Sequence, residues 1–209
     1  MSSGEGVFRL LLLGLLAAFV AHRGYHSRTR ARAESDTLTR RIPDRPQRIA
    51  AVFTGMALLA SAVYVVNPSL LSRTALLLPA WLRWAGVTWA VAGFVLLQWA
   101  HAALAQNWSD VPRLLHGQTL TRTGPYRWAR HPIYSAFLII LSAPLLITAN
   151  WLVGVTWIVG TAVEVAGRVR YEDALLAESF GDDYRDYARH TGRLLPRLRR
   201  ETAAYRAGD

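Results

Sequence analysis

The sequence predicts an all-α fold: an integral membrane bundle of about five transmembrane helices, with a basic cytoplasmic loop and a charged helical C-terminal tail. Three observations predict it. Apolar residues make up 52% of the 209-residue chain and charged residues only 18%, below the roughly 25% of an ordinary soluble domain. The apolar residues gather into runs long enough to cross a bilayer. The arginines flank those runs instead of interrupting them, as cytoplasmic loops of membrane proteins do.

The first run, Val7 to Val20, is short, and its basic residues follow it. A secretory signal has the opposite polarity, so the run is expected to be a retained span with its N-terminus outside. Residues 23–48 form a polar linker carrying Arg23, Arg28, Arg30, Arg32, Arg40, Arg41, Arg45 and Arg48; Pro43 and Pro46 are expected to make its later part irregular or extended. Ile49 to Val66 is a second span, ended by Asn67-Pro68. Ser69 to Arg83 mixes apolar residues with Arg73, Pro79 and Arg83 and reads as interfacial or re-entrant. Trp81, Trp84 and Trp89 suit an aromatic belt. The third span runs from about Trp84 to Ala105, the fourth from Ile133 to Thr148 and the fifth from Trp151 to Ala166, with Asn150 marking a tight turn between the last two.

Five spans place the 23–48 linker, the 106–132 loop and the tail on one side, where the arginine asymmetry makes that side cytoplasmic. Composition also excludes. Without cysteine there are no disulfides, thiolate metal sites or cysteine nucleophile. All 24 basic residues are arginine, so lysine chemistry is absent. The net charge of +10 fits attraction to anionic lipid better than nucleic-acid binding, because the arginines line no single soluble face. The histidines show no metal-ligand spacing, so no metal is expected.

Candidate chemistry concentrates in Thr123 to Tyr134, TGPYRWARHPIY. Each proline locks its own φ and biases the preceding residue toward extended geometry. Gly124-Pro125 and His131-Pro132 therefore read as two rigid corners aiming Tyr126, Arg127, Arg130, His131 and Tyr134. The positive-inside rule accounts for the arginines alone, so a binding site is the better reading. The short 149–151 turn makes spans four and five a hairpin whose cytoplasmic ends lie side by side, bringing His131 and Tyr134 toward Arg168 and Glu172. If the fifth helix continues past the membrane, Glu164, Arg168 and Glu172 share one face, and Glu164 sits at membrane depth with Arg168 as its partner. Asp173 adds a second carboxylate. Gln98 and His101, one turn apart, suit hydrogen bonding between helices. Phe180-Gly181 is expected to break the helix, leaving Tyr184 and Tyr187 on a short amphipathic segment docked at the membrane face.

These pieces in this order resemble the isoprenylcysteine carboxyl methyltransferase and phospholipid methyltransferase family of integral membrane enzymes, whose pattern is roughly GPYRxxRHPxYxG, an apolar stretch, RxxxEE, then FGxxYxxY and a late proline. The likeness covers about residues 106–197, with Asn107-Trp108-Ser109 also similar; residues 1–105 match only as spans and linker. It implies a single membrane domain with a methyltransferase region over 106–209 and S-adenosyl-L-methionine as methyl donor. It further implies cofactor binding by Tyr126, Arg130, His131, Pro132, Tyr134, Glu172 and Asp173, with Arg168 and Glu172 catalytic. Two departures stand out: Asp173 where the family has Glu, and Ala136 where it has Gly.

The expected function is then a membrane methyltransferase acting on a lipophilic or small carboxylate, amine or thiol acceptor, in a bacterial inner membrane with its site facing the cytoplasm. The partners are the methyl donor, the acceptor and membrane lipids, without nucleic acid. The competing readings are a small transporter using Glu164, Gln98 and His101, or a non-enzymatic lipid-binding scaffold using its arginines.

Overall fold

The computed structural model describes residues 3–31, 44–104 and 119–197. They form five helices: α1 (Ser3–Ala31), α2 (Asp44–Val66), α3 (Ala80–Leu104), α4 (Pro132–Thr148) and α5 (Trp151–His190). Four of them are long and apolar enough to cross a membrane, and α4 is a shorter apolar helix. The chain is an integral membrane helix bundle. Its outer surface agrees: Trp81, Trp84, Trp89, Val91 and Val95 are exposed, as side chains facing hydrocarbon are.

Three segments differ from the sequence expectation. α1 continues through Arg23 to Ala31, and α2 begins at Asp44, so the flanks of the arginine-rich linker are helical. Pro46 lies in the first turn of α2 and does not make the chain extended, because an N–H missing there has no intrahelical partner to lose. Residues 32–43 lie outside the described residues. The connection after α2 is a short 3-10 turn, Pro68–Thr74, capped by the Asn67 side chain. An extended piece follows, and Leu76 N donates to Ala149 O at 2.6 Å.

Small residues set the spacing. Gly86, Ala90, Gly93 and Ala100 are buried along α3, and a Cβ on Gly93 would come within 2.7 Å of Ile140. Backbones approach closely there, as small-residue helix faces permit in membranes. Gly154 does the same between α5 and α4, where an added Cβ would lie 2.4 Å from Leu145 Cβ. Asn150 caps α5 by accepting from Leu152 N and Val153 N, after Ala149 closes α4 in the left-handed conformation.

The end of the bundle where α1 and α3 begin and α2 and α4 end is bolted at Glu5, Tyr64 and Arg83. Arg83 Nη1 lies 2.9 Å from Glu5 Oε2, its Nη2 donates to the Tyr64 hydroxyl at 2.9 Å, and its Nε donates to Ile147 O at 3.0 Å. One guanidinium thus ties α1, α2, α3 and α4 together at the face opposite the 119–131 loop. At the loop's own end, α5 runs on past its apolar part and bends at Gly181 (φ 55, ψ −126). The expected break at Phe180-Gly181 is therefore a bend after which the helix resumes. It turns Tyr184 and Tyr187 inward, and both are buried.

Candidate functional site

The motif loop is shaped by its prolines and by close packing. Gly124 takes φ +57, not the extended geometry expected before a proline. A Cβ at that position would lie 2.8 Å from Ala103 and 3.3 Å from Trp99 Nε1, so only glycine fits against α3. Pro125 then opens a short 3-10 turn, Gly124–Arg127. Pro132 opens α4.

Between these corners the chain pairs with the tail. Arg130 N donates to Gly192 O at 2.8 Å, Gly192 N donates to Trp128 O at 3.2 Å, and His131 N donates to Arg193 O at 3.0 Å. Arg130 Nη1 reaches Ala188 O at 2.7 Å and Thr191 O at 2.9 Å, and the Tyr187 hydroxyl donates to Tyr126 O. The post-helical residues are therefore strapped over the loop, which explains why His131 and Arg130 are held so rigidly.

His131 is the hub. It is 5% exposed; its Nε2 lies 2.7 Å from Asp173 Oδ1 and its Nδ1 lies 3.4 Å from Glu172 Oε2. The Tyr134 hydroxyl donates to the other oxygen of Glu172. Asp173 also faces Arg130 Nε at 3.5 Å and Arg193 Nε at 2.8 Å, and it accepts from the Tyr184 hydroxyl. Burial works against charge on His131, but the Asp173 and Glu172 carboxylates outweigh it and raise its pKa. Burial likewise disfavours an Asp173 carboxylate, yet His131, Tyr184 and Arg130 lower its pKa well below the usual range. Burial, and then the Asp173 hydrogen bond, push the Tyr184 hydroxyl far up. The cluster thus favours an imidazolium between two carboxylates.

The other candidates are placed as follows. Arg168 Nε pairs with Glu164 Oε1 at 3.1 Å one turn before Glu172, and its charge also faces Tyr134 and Glu172. Pro132 is fully buried and Tyr126 is 7% exposed, so both shape the loop from beneath. Trp128 is exposed and stacks edge-on with Trp99 at 5.5 Å. Asn107, Trp108 and Ser109 lie outside the described residues. Gln98 bonds His22 Nε2 of α1 at 3.3 Å, while His101 Nδ1 faces Leu97 O at 2.9 Å. Tyr184 and Tyr187, expected on a segment docked at the membrane face, are instead buried against the site, and Arg193 and the Gly192 turn are site components that sequence reasoning did not single out. The FGxxYxxY pattern was the signal for the tyrosines, since a glycine bend before two tyrosines three apart can fold them back.

On the bundle side of Tyr134 a cavity of about 190 Å³ opens between α1, α2, α4 and α5. Phe19, Phe137, Leu141 and Trp157 form its apolar wall, and Arg23 and Glu164 are its charged members. Tyr134 therefore has the ion-paired cluster on one side and an apolar chamber on the other.

With this geometry in place, comparison with known proteins shows what the chain is similar to. Residues 84–178 match the family model described as "Isoprenylcysteine carboxyl methyltransferase (ICMT) family". The match takes in 95 of the 209 residues, so it is this region that is similar to the isoprenylcysteine carboxyl methyltransferase family. It is 30% identical over 97 residues to the uncharacterized protein YpbQ of Bacillus subtilis, covering 46% of this chain and 57% of that protein. It is 33% identical over 81 residues to methanethiol S-methyltransferase of Mycobacterium tuberculosis, covering 37% of this chain and 30% of that one. The solved eukaryotic intramembrane Ras methyltransferase ICMT shares the fold with a TM-score of 0.54 at 23% identity, over 74% of this chain and 54% of that structure. The chain spans 57% and 30% of the lengths of the two curated relatives. The family match starts within α3, so α1 and α2, which supply one side of the apolar cavity, lie outside it.

Proposed function

We propose that this chain is an S-adenosyl-L-methionine-dependent membrane methyltransferase acting on a lipophilic or small acceptor. The observation that carries the proposal is the double environment of Tyr134: a charged, hydrogen-bonded cluster of Arg130, His131, Glu172 and Asp173 beside an apolar cavity within the bundle. A water-soluble donor and an apolar acceptor need such a boundary to meet. The likeness of residues 84–178 to the isoprenylcysteine carboxyl methyltransferase family supports the same reading.

The donor set fits this cofactor. Glu172 and Asp173 suit its ammonium and ribose hydroxyls, while Arg130 and Arg193 suit its carboxylate through charge-assisted bonds. Among the described residues the buried Arg130 Nε makes no hydrogen bond and lies 3.5 Å from Asp173 Oδ1, which leaves donor capacity for a ligand oxygen. Tyr134 and Trp128 offer aromatic faces to a cationic sulfur. When bound, the cofactor supplies an electrophilic methyl group that needs no further activation.

The chain's own part is alignment and exclusion of water. Arg130 and His131 are fixed by the strap, so the loop does not reorganise during the reaction. Glu172 is held at the boundary by His131 and Tyr134. Arg168, anchored by Glu164, faces the same edge and is placed to orient an anionic acceptor. By the arginine asymmetry, the site opens to the cytoplasmic face of a bacterial inner membrane. The test is titration calorimetry with the methyl donor in detergent, paired with labelled-methyl transfer to extracted lipids. Binding and transfer are expected in the wild type and loss of both in Glu172→Ala. Wild-type turnover by folded Arg168→Ala and Glu172→Ala proteins would overturn the assignment.

A further inference from the structure

The acceptor side of Tyr134 carries its own chemistry, and it comes from the part of the chain outside the family match. Arg23 of α1 lines the cavity with its guanidinium carbon 5.4 Å from the Phe137 ring centroid. Phe137 in turn contacts Phe19 at 5.2 Å and Tyr134 at 6.0 Å. Arg23 is half-buried, and no carboxylate pairs with it among the described residues. A guanidinium drawn against an aromatic wall instead of reaching out to head groups calls for an anion inside. Glu164 shares the wall, but it is engaged by Arg168 at 3.1 Å, so the chamber keeps a positive excess.

A second observation agrees. Among the described residues, the three acid–base side chains of the site already have partners. His131 stands between two carboxylates, Glu172 accepts from Tyr134, and Asp173 accepts from Tyr184 while paired with Arg193. An acceptor arriving already deprotonated needs no base. The new bond then forms from its anionic oxygen or sulfur to the methyl carbon. The sulfonium–methyl bond breaks, its electron pair passes to the donor sulfur to give a neutral thioether, and no proton moves. Size sets the other limit. A cavity of about 150 Å³ accommodates a benzene-sized molecule, so the 190 Å³ here has room for about seven or eight non-hydrogen atoms, far fewer than a long acyl or polyprenyl chain carries.

We infer that Arg23 selects the acceptor, and that the acceptor is a small amphiphile bearing a carboxylate or thiolate on a short apolar body seated in the α1–α2–α4–α5 cavity. This inference rests on the methyltransferase reading above and specifies the acceptor for it. It is tested on the full chain in nanodiscs. Binding of 6-bromohexanoate is followed by quenching of Trp157, with Trp157→Phe defining the signal, and compared with neutral 6-bromohexanol. Labelled-methyl transfer is measured to six-carbon and sixteen-carbon acids and thiols, the two head groups distinguishing carboxylate from thiolate. Expected are transfer to a six-carbon acceptor in preference to its sixteen-carbon homologue and at least tenfold weaker 6-bromohexanoate binding in Arg23→Gln. Arg23→Lys is expected to restore that binding in part, while 6-bromohexanol binding and calorimetric donor affinity stay unchanged in Arg23→Gln. Preference for the long chains, or Arg23→Gln binding the short anion as wild type does, overturns the inference while donor binding stands. Failure of the wild type to bind the donor overturns both readings together.

Discussion

The Tyr184 hydroxyl donates a hydrogen bond to Asp173, eleven residues earlier on the same helix, across the bend at Gly181. A straight helix would carry Tyr184 away from Asp173. The bond exists because Gly181 takes φ 55 and ψ −126, a conformation that residues with a Cβ adopt only under strain. Gly181→Ala is expected to cost about 1–3 kcal/mol and to weaken donor binding about tenfold, although an added methyl would meet nothing nearby. Thermal unfolding in detergent and donor calorimetry check both effects.

The strap after the bend depends on a second glycine. A Cβ on Gly192 would fall 1.8 Å from Leu195 O, which no local shift relieves. Gly192→Ala is expected to release Arg130 and His131 from the tail and to abolish donor binding while α1 to α4 stay folded. Limited proteolysis beyond residue 190 should accelerate in that variant.

The His131 cluster gives a signed pH response. His131 is shifted up by the carboxylates against its burial, so its contribution to stability is complete below the unfolded value of 6.5 and is lost as pH rises through the higher folded value. Asp173 is shifted down, so its contribution is complete above its ordinary 3.8 and is lost only as pH falls toward the lower folded value. The cluster is thus expected to contribute most between roughly pH 4 and 6.5, with stability falling on the alkaline side. His131→Asn should flatten that alkaline limb and lower stability by about 3 kcal/mol, as removal of one partner from a buried ion pair does. Tm against pH for the two proteins is the measurement.

The far end of the bundle supplies a control. Arg83 binds Glu5, Tyr64 and the Ile147 carbonyl but touches nothing at the site. Glu5→Gln is expected to lower stability by about 1–3 kcal/mol, the cost of weakening a partly buried charged hydrogen bond, while donor Kd in the folded protein stays as in wild type. A change in Kd would mean that the two ends are coupled.

Much of this molecule is legible one segment at a time. Apolar runs mark the spans because a bilayer demands about twenty apolar residues per helix; α3 and α4 lie within a few residues of their expected places, and α5 begins where expected but runs on to His190. Asn150 marks the hairpin because its side chain caps a helix start. Local signals failed where a distant neighbour decides. Pro46 reads as a breaker until the helix is seen to begin just before it. Gly124 reads as extended until Ala103 and Trp99 are found beside it. Tyr184 and Tyr187 read as surface residues until the Gly181 bend turns them onto Asp173 and the loop.

The order of residues alone therefore determined that the chain crosses a membrane, that its arginines gather at one face, and that His131, Tyr134 and Glu172 come together, since a tight hairpin leaves their helix ends adjacent. Tertiary structure alone decided which oxygen each of these groups holds, that the tail straps the loop, and that Arg23 looks into an apolar chamber. The physical reason is range: spans and turns follow from residues a few positions apart, whereas an ion pair or a cavity wall is made by residues brought together only when all the helices pack.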